Sequence, residues 1–154
     1  MADYHAKIRT NCFAVTDEMK FRNIISSCSA NDEIIIFDEK QDDGSKKYGF
    51  YCFGSIYGLP ETEDNDTAVN SEESSEYEDC DYSYDLFTQA LQEIIPDDEA
   101  VIIIEIGNEK MRYLVGRCTV ITRNDVKYGD IVSVAEKLAQ EMLGNSSYET
   151  EMYG

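Results

Sequence analysis

Thirty-two carboxylates, eleven tyrosines, five cysteines and one histidine are the side chains with which this chain could do chemistry. Acid–base catalysis near neutral pH draws most often on histidine, and His5 stands alone near the N-terminal end. No Gly-x-Ser-x-Gly, Ser-x-x-Lys or glycine-rich strand-to-helix loop supplies an activated nucleophile or a phosphate cradle. The stretch "GSIYG" (Gly54–Gly58) has the glycines of such a loop but no lysine, and it precedes an acidic run that repels phosphate. It reads as a bend ending a strand. Cys12, Cys28, Cys52 and Cys118 fall within apolar patterns and are expected in the core. Cys80 lies among Glu78, Asp79 and Asp81, whose charge disfavours a thiolate.

Metal chemistry fares no better. Zinc needs clustered Cys or His, and neither occurs. Asp64 and Asp66 fit positions one and three of a calcium loop, but Ala68, Val69 and Ser75 stand where a ligand, a glycine and a bidentate glutamate belong. Lys40 spoils "DEKQDDG" in the same way. The expectation is a protein that is not an enzyme, with no metal and no cofactor. A carboxylate-dependent metal nuclease stays open as a minor class, because acids this abundant carry no specificity.

What remains is the charge. The stretch "PETEDNDTAVNSEESSEYEDCDYSYD" (Pro60–Asp85) holds eleven carboxylates and no basic residue, within a chain of net charge −19. From Tyr48 to Glu109 there are seventeen acids and no Lys, Arg or His. Direct nucleic-acid binding is disfavoured, since it needs clustered cations that displace counterions. A basic protein surface is the natural partner. The candidate contact residues are Glu61, Glu63, Asp64, Asp66, Glu72, Glu73, Glu76, Tyr77, Glu78, Asp79, Asp81, Tyr82, Tyr84 and Asp85. The tyrosines among them offer flat faces on which arginine can pack.

Two readings of this segment compete. One is a solvated loop that only solubilises an ordinary domain. The other is mimicry of nucleic acid. A compact chain of this length is roughly 40 Å across, and duplex DNA of that length carries on the order of 24 phosphates. The net charge of −19 falls in the same range.

The segment needs a scaffold, and 154 residues at 42% hydrophobic suit one globular domain. Strands are predicted at Lys7–Val15, Glu33–Glu39, Tyr48–Ser55, Ala100–Ile106 and Met111–Thr122, with turns at "QDDGSKK" and "GNEK". In the first, Ile8, Cys12 and Ala14 form the apolar face, interrupted by Thr10. Helices are predicted at Asp17–Ser29, Tyr84–Ile95 (stopped by Pro96) and Ile131–Leu143, the last with Asp130 as N-cap and Gly144 as C-cap. The order β-α-β-β, acidic loop, α-β-β, α is an α+β class, a mixed or antiparallel sheet covered by three helices. The core is expected to hold Phe21, Ile25, Phe87, Leu91, Ile102, Ile104, Leu138 and Met142, with Ile131, Val134 and Ala135 also on the buried face of the third helix. The whole of 1–154 is one domain, with 59–85 a long mobile acidic loop and 145–154 a frayed tail. Two αββ blocks recur at matching distances, and either a duplication with pseudo-twofold symmetry or chance alignment of two helix–hairpins accounts for them.

An odd cysteine count without a Cys-x-x-Cys pair, no apolar leader and no long apolar run give the expectation of a reduced cytoplasm and no membrane.

The stretches "RTNCFAVTDEMKFRNII", "YGFYCFGSIYGLP" and "IIEIGNEKMRYLVGRCTVIT…LGN" resemble small acidic proteins encoded on conjugative elements and phages of Firmicutes. The similarity spans most of the chain outside the acidic loop, and it carries over no catalytic residue. That setting resembles the one of anti-CRISPR and anti-restriction proteins, many of them acidic DNA mimics. The resemblance implies inhibition of a bacterial defence nuclease, with a CRISPR effector such as Cas9 the favoured target at a basic PAM or guide-duplex surface. The alternative is a protein-binding module of a mobile element, of immunity type or a conjugation accessory, whose loop is merely solubilising.

Overall fold

A computed structural model describes residues 4–61, 81–110 and 113–150. The element order is β1 (Tyr4–Thr10), α1 (Glu18–Ser27), β2 (Ser29–Ala30), β3 (Ile35–Lys40), β4 (Lys46–Phe53), β5 (Ile56–Pro60), β6 (Tyr82–Ser83), α2 (Tyr84–Gln92), β7 (Val101–Glu109), β8 (Tyr113–Ile121), β9 (Val126–Asp130) and α3 (Ile131–Leu143). Six strands form one sheet in the order β3-β4-β1-β7-β8-β9, and every neighbouring pair is antiparallel. A small second sheet runs β2-β5-β6, also antiparallel. The fold is α+β, as the sequence predicts.

Alternation decides which side of the large sheet is covered. Ala6, Ile8 and Thr10 on β1, and Val101, Ile103 and Glu105 on β7, are buried, while the residues between them are exposed. Helices α1 and α2 lie on this inner face. Phe21 and Ile25 of α1 and Phe87 and Leu91 of α2 join Phe13, Phe50 and Ile121 in one core cluster. Phe50 is the hub: its ring lies 6.4 Å from Phe13, 6.4 Å from Phe21 and 6.0 Å from Phe87. Burying a large apolar side chain stabilises by roughly 1.5–3 kcal/mol, so these rings account for much of the driving force. Caps fix the helix starts. Asp17 accepts from the Lys20 N–H at 3.1 Å, Ser83 from the Leu86 N–H at 3.1 Å and Asp130 from the Ser133 N–H at 2.8 Å. Gly144, at φ 66°, ends α3.

Several expectations need correction. Leu138 and Met142 are not core residues but 53% and 85% exposed, and Ile102 and Ile104 are exposed as well. The rest of the predicted α3 stripe, Ile131, Val134 and Ala135, is likewise open, and no residue of α3 is buried. Periodicity reveals an apolar face but not what covers it. Here both covering helices sit on the inner side of the sheet, and α3 follows β9 onto the outer side, where no further described layer closes over it. The first strand ends at Thr10 rather than Val15, and Thr10 belongs to the buried face: its Oγ1 accepts from the Phe50 N–H at 3.0 Å. "GSIYG" bends at Gly54 (φ 108°) and then continues as β5. "GNEK" stays in strand through Glu109, and "VKYGD" forms the edge strand β9.

Both halves are a helix followed by a hairpin, α1 with β3–β4 and α2 with β7–β8. Across the sheet β3 takes the edge and β7 the place beside β1, so a twofold through β1 does not relate them. The expected frayed tail instead turns back on α3 as far as it is described. Gln140 donates to the Tyr148 carbonyl at 3.0 Å, and the Thr150 N–H donates to Glu136 at 3.2 Å. Among the described residues no helix is long and apolar enough to cross a membrane.

Candidate functional site

The acidic segment is an insertion between β5 and β6, and its two ends are fastened together. Leu59 pairs with Ser83 and Pro60 with Tyr82, and the Glu61 N–H donates to the Asp81 carbonyl at 2.9 Å. Gly58, at φ 119°, lies so close to this crossing that a Cβ would collide with the Ser83 carbonyl. Only glycine fits there. Immediately after the pairing, Ser83 caps α2 and Asp85 sits in its first turn, beside the positive end of the helix. The insertion is thus rooted in the rigid core through α2.

Of the candidate contact residues, Glu61, Asp81, Tyr82 and Asp85 are exposed at this root. Tyr84 turns inward. Its ring lies 5.8 Å from that of Phe87, and its hydroxyl is 3.0 Å from Thr119 Oγ1. It supports the root and lends one side to a neighbouring cleft. Glu63, Asp64, Asp66, Glu72, Glu73, Glu76, Tyr77, Glu78 and Asp79 lie outside the described residues, as does Cys80.

Beside the root opens a cleft of about 610 Å³, bounded by Tyr57, Tyr82, Tyr84, Tyr128 and Asp130. Its floor is the inward-facing ion pair of Glu105 and Arg117. Glu105 Oε2 accepts from Tyr4 OH at 2.8 Å, from Arg117 Nη2 at 3.2 Å and from Ser55 Oγ at 3.3 Å. The Arg117 charge is thereby neutralised within the cleft. Burial and the Glu105 contact push the Tyr4 phenol up to about 12. Burial also raises Tyr84, and burial followed by the charge of Asp85 raises Tyr128. The Tyr4, Tyr84 and Tyr128 phenols therefore stay neutral, and Asp130 stands at the edge of the cleft. Such walls suit a cationic or planar polar group.

Three of the thiols, Cys12, Cys28 and Cys52, are held protonated. Burial drives Cys28 up to about 12 and raises Cys52. Burial together with Glu39 raises Cys12. Among the described residues no group of three or more His, Cys, Asp or Glu is placed to hold a metal ion. Sequence reasoning missed Tyr57, Tyr128, Glu105 and Arg117. The signal that places them is strand register, with Glu105 opposite Arg117 and Thr119 opposite Tyr128.

Comparison with protein-family models, with curated proteins and with solved structures finds no match.

Proposed function

We propose that this chain is a non-enzymatic inhibitor that presents an acidic insertion to a basic, nucleic-acid-binding surface of another protein. The observation that carries the reading is the root. An eleven-carboxylate segment is held at both ends by β5–β6 pairing on the folded core, next to a cleft walled by tyrosines and Asp130. Anchoring lowers the conformational entropy that a free acidic tail would lose on binding. The long-range field of the −19 chain steers a basic partner, and the exposed rings of Tyr57 and Tyr82 supply stacking planes near the point of contact. The resemblance to mobile-element proteins directs the reading to a bacterial defence nuclease in the cytoplasm, with a CRISPR effector such as Cas9 the favoured target.

The test is an inhibition assay. A guide-loaded Cas9-type effector is mixed with the protein, and cleavage of a target plasmid is followed at low and at high salt. Inhibition that weakens with salt, and is overcome by excess target DNA, supports the reading. An effector that neither binds nor is slowed at low salt rules out that target.

The second reading is a protein-binding module whose insertion only solubilises it. The exposed apolar outer face of the sheet favours that one. It expects binding that persists when the insertion is neutralised.

A further inference from the structure

The outward residues of β7 and the stripe of α3 form one apolar surface. Register places Ile104 opposite Cys118 and Ile106 opposite Gly116, on the side away from α1 and α2. Gly116 lets the first turn of α3 approach the sheet, since a Cβ there would lie 3.2 Å from Ile131 Cγ2. Between Ile104, Ile106, Ile131 and Val134 a groove of about 270 Å³ stays open, and beyond it Leu138 and Met142 project from α3, 53% and 85% exposed among the described residues.

We propose that this surface is the interface of a homodimer, in which the α3 stripe of each copy lies on the outer β7–β8 face of the other. The first argument is area. Ile104, Ile106, Ile131, Val134, Leu138 and Met142 are 40–85% exposed. Aliphatic side chains are smaller than the aromatic rings that bury roughly 150–250 Å² each, and at the lower end of that range the six leave on the order of 500 Å² open. That lies toward the top of the range for the largest apolar patch of a monomer, roughly 300–600 Å², and approaches the roughly 600–1,000 Å² that each side of a standard interface contributes.

The second argument is complementarity. An amphipathic helix and a flat apolar floor to receive it occur on the same chain, which is what a reciprocal twofold contact requires. Helix α3 is capped at both ends yet buries no residue of its own, and helices of this length owe most of their stability to a packed face.

The third argument is charge. Two copies of a −19 chain repel, so they must meet where negative charge is sparse; of the residues lining the groove only Asp130 is acidic, and its carboxylate is engaged by the Ser133 N–H at the start of α3. The outward positions of β1, β7, β8 and β9 are His5, Lys7 and Arg9, then the even-numbered residues of 102–108 and 114–120, and Lys127 with Gly129. They hold three Lys and Arg and no carboxylate. Lys137 and Glu141 flank the stripe on α3, one charge of each sign. The β5–β6 root of the acidic insertion packs with α2 on the inner side of the sheet, so dimerisation leaves that root open.

Sedimentation velocity on the full chain at micromolar concentrations tests this. The expected result is a species of twice the 17.5 kDa chain mass, retained or strengthened as salt rises. L138E and I104E should each return the protein to 17.5 kDa with unchanged far-ultraviolet circular dichroism, because both residues are exposed in the single chain. Their places on different elements guard against a local folding defect. A monomeric wild type at every concentration and salt, a dimer that survives both substitutions, or open-ended assemblies would each overturn the proposal. Salt separates it from the function proposed above, since an apolar contact resists salt whereas binding through the insertion is lost.

Discussion

Gly58 is the position at which one added methyl group should do most harm. Its φ of 119° is strained for any other residue, and a Cβ would meet the Ser83 carbonyl where β5 crosses the start of α2. G58A is expected to cost on the order of 3 kcal/mol, from backbone strain and steric overlap together, read as a lower urea midpoint. Glu105 calls for a gentler probe. Tyr4→Phe removes one of its three donors and should cost about 1 kcal/mol. Cys28 gives a pH signature. Its thiol ionises near 9.0 in the unfolded chain and near 12 when folded. The unfolded state therefore loses its proton first, and stability should fall as pH rises between those values and be flat below them. Cys28→Ala should reduce that fall in urea titrations at about pH 8 and about pH 10.5. A slope identical to wild type would contradict the burial assigned to Cys28. Little of this is legible in sequence. Glu105 sits in the apolar run "VIIIEI", and only the pairing register shows that it meets Arg117 on the inner face.

At the scale of elements, the reliable signals were local. Asp130, the 131–143 periodicity and Gly144 define α3 to the residue, because cap chemistry is written in neighbouring side chains. Phe21, Ile25, Phe87 and Leu91 were legible as core for the same reason. The two-residue strands β2 and β6 were not, since so short a run has no period and exists only through its partner β5. The stripe of α3 is exposed where its period alone predicts burial, because a helix does not encode which layer will cover it. Hydrogen exchange separates the two helices. In dilute monomer the amides of α3 should exchange well before those of α2, whose Phe87 and Leu91 are fully buried. They should slow as concentration rises through the dimer range. Equal protection of both helices at every dilution would contradict the exposed state of α3.

For the whole molecule, the charge and its rooting are the central matter. Acids at the rim of a contact chiefly set the rate of encounter, while solvated surface substitutions typically alter stability by under ~0.5 kcal/mol. The composition made the asymmetry plain. The sequence could not show that both ends of the insertion are fastened beside a tyrosine-walled cleft, which depends on strands joined only by the fold. The most direct test compares association rates with an immobilised guide-loaded Cas9-type effector. Wild type is set against a variant in which Glu72, Glu73, Glu76, Glu78, Asp79 and Asp81 are replaced by Gln or Asn. The account predicts association slowed by about tenfold or more at low salt, converging towards wild type as the Debye length shrinks to about 3 Å near 1 M, with thermal stability unchanged. Equal association rates at low salt would contradict it.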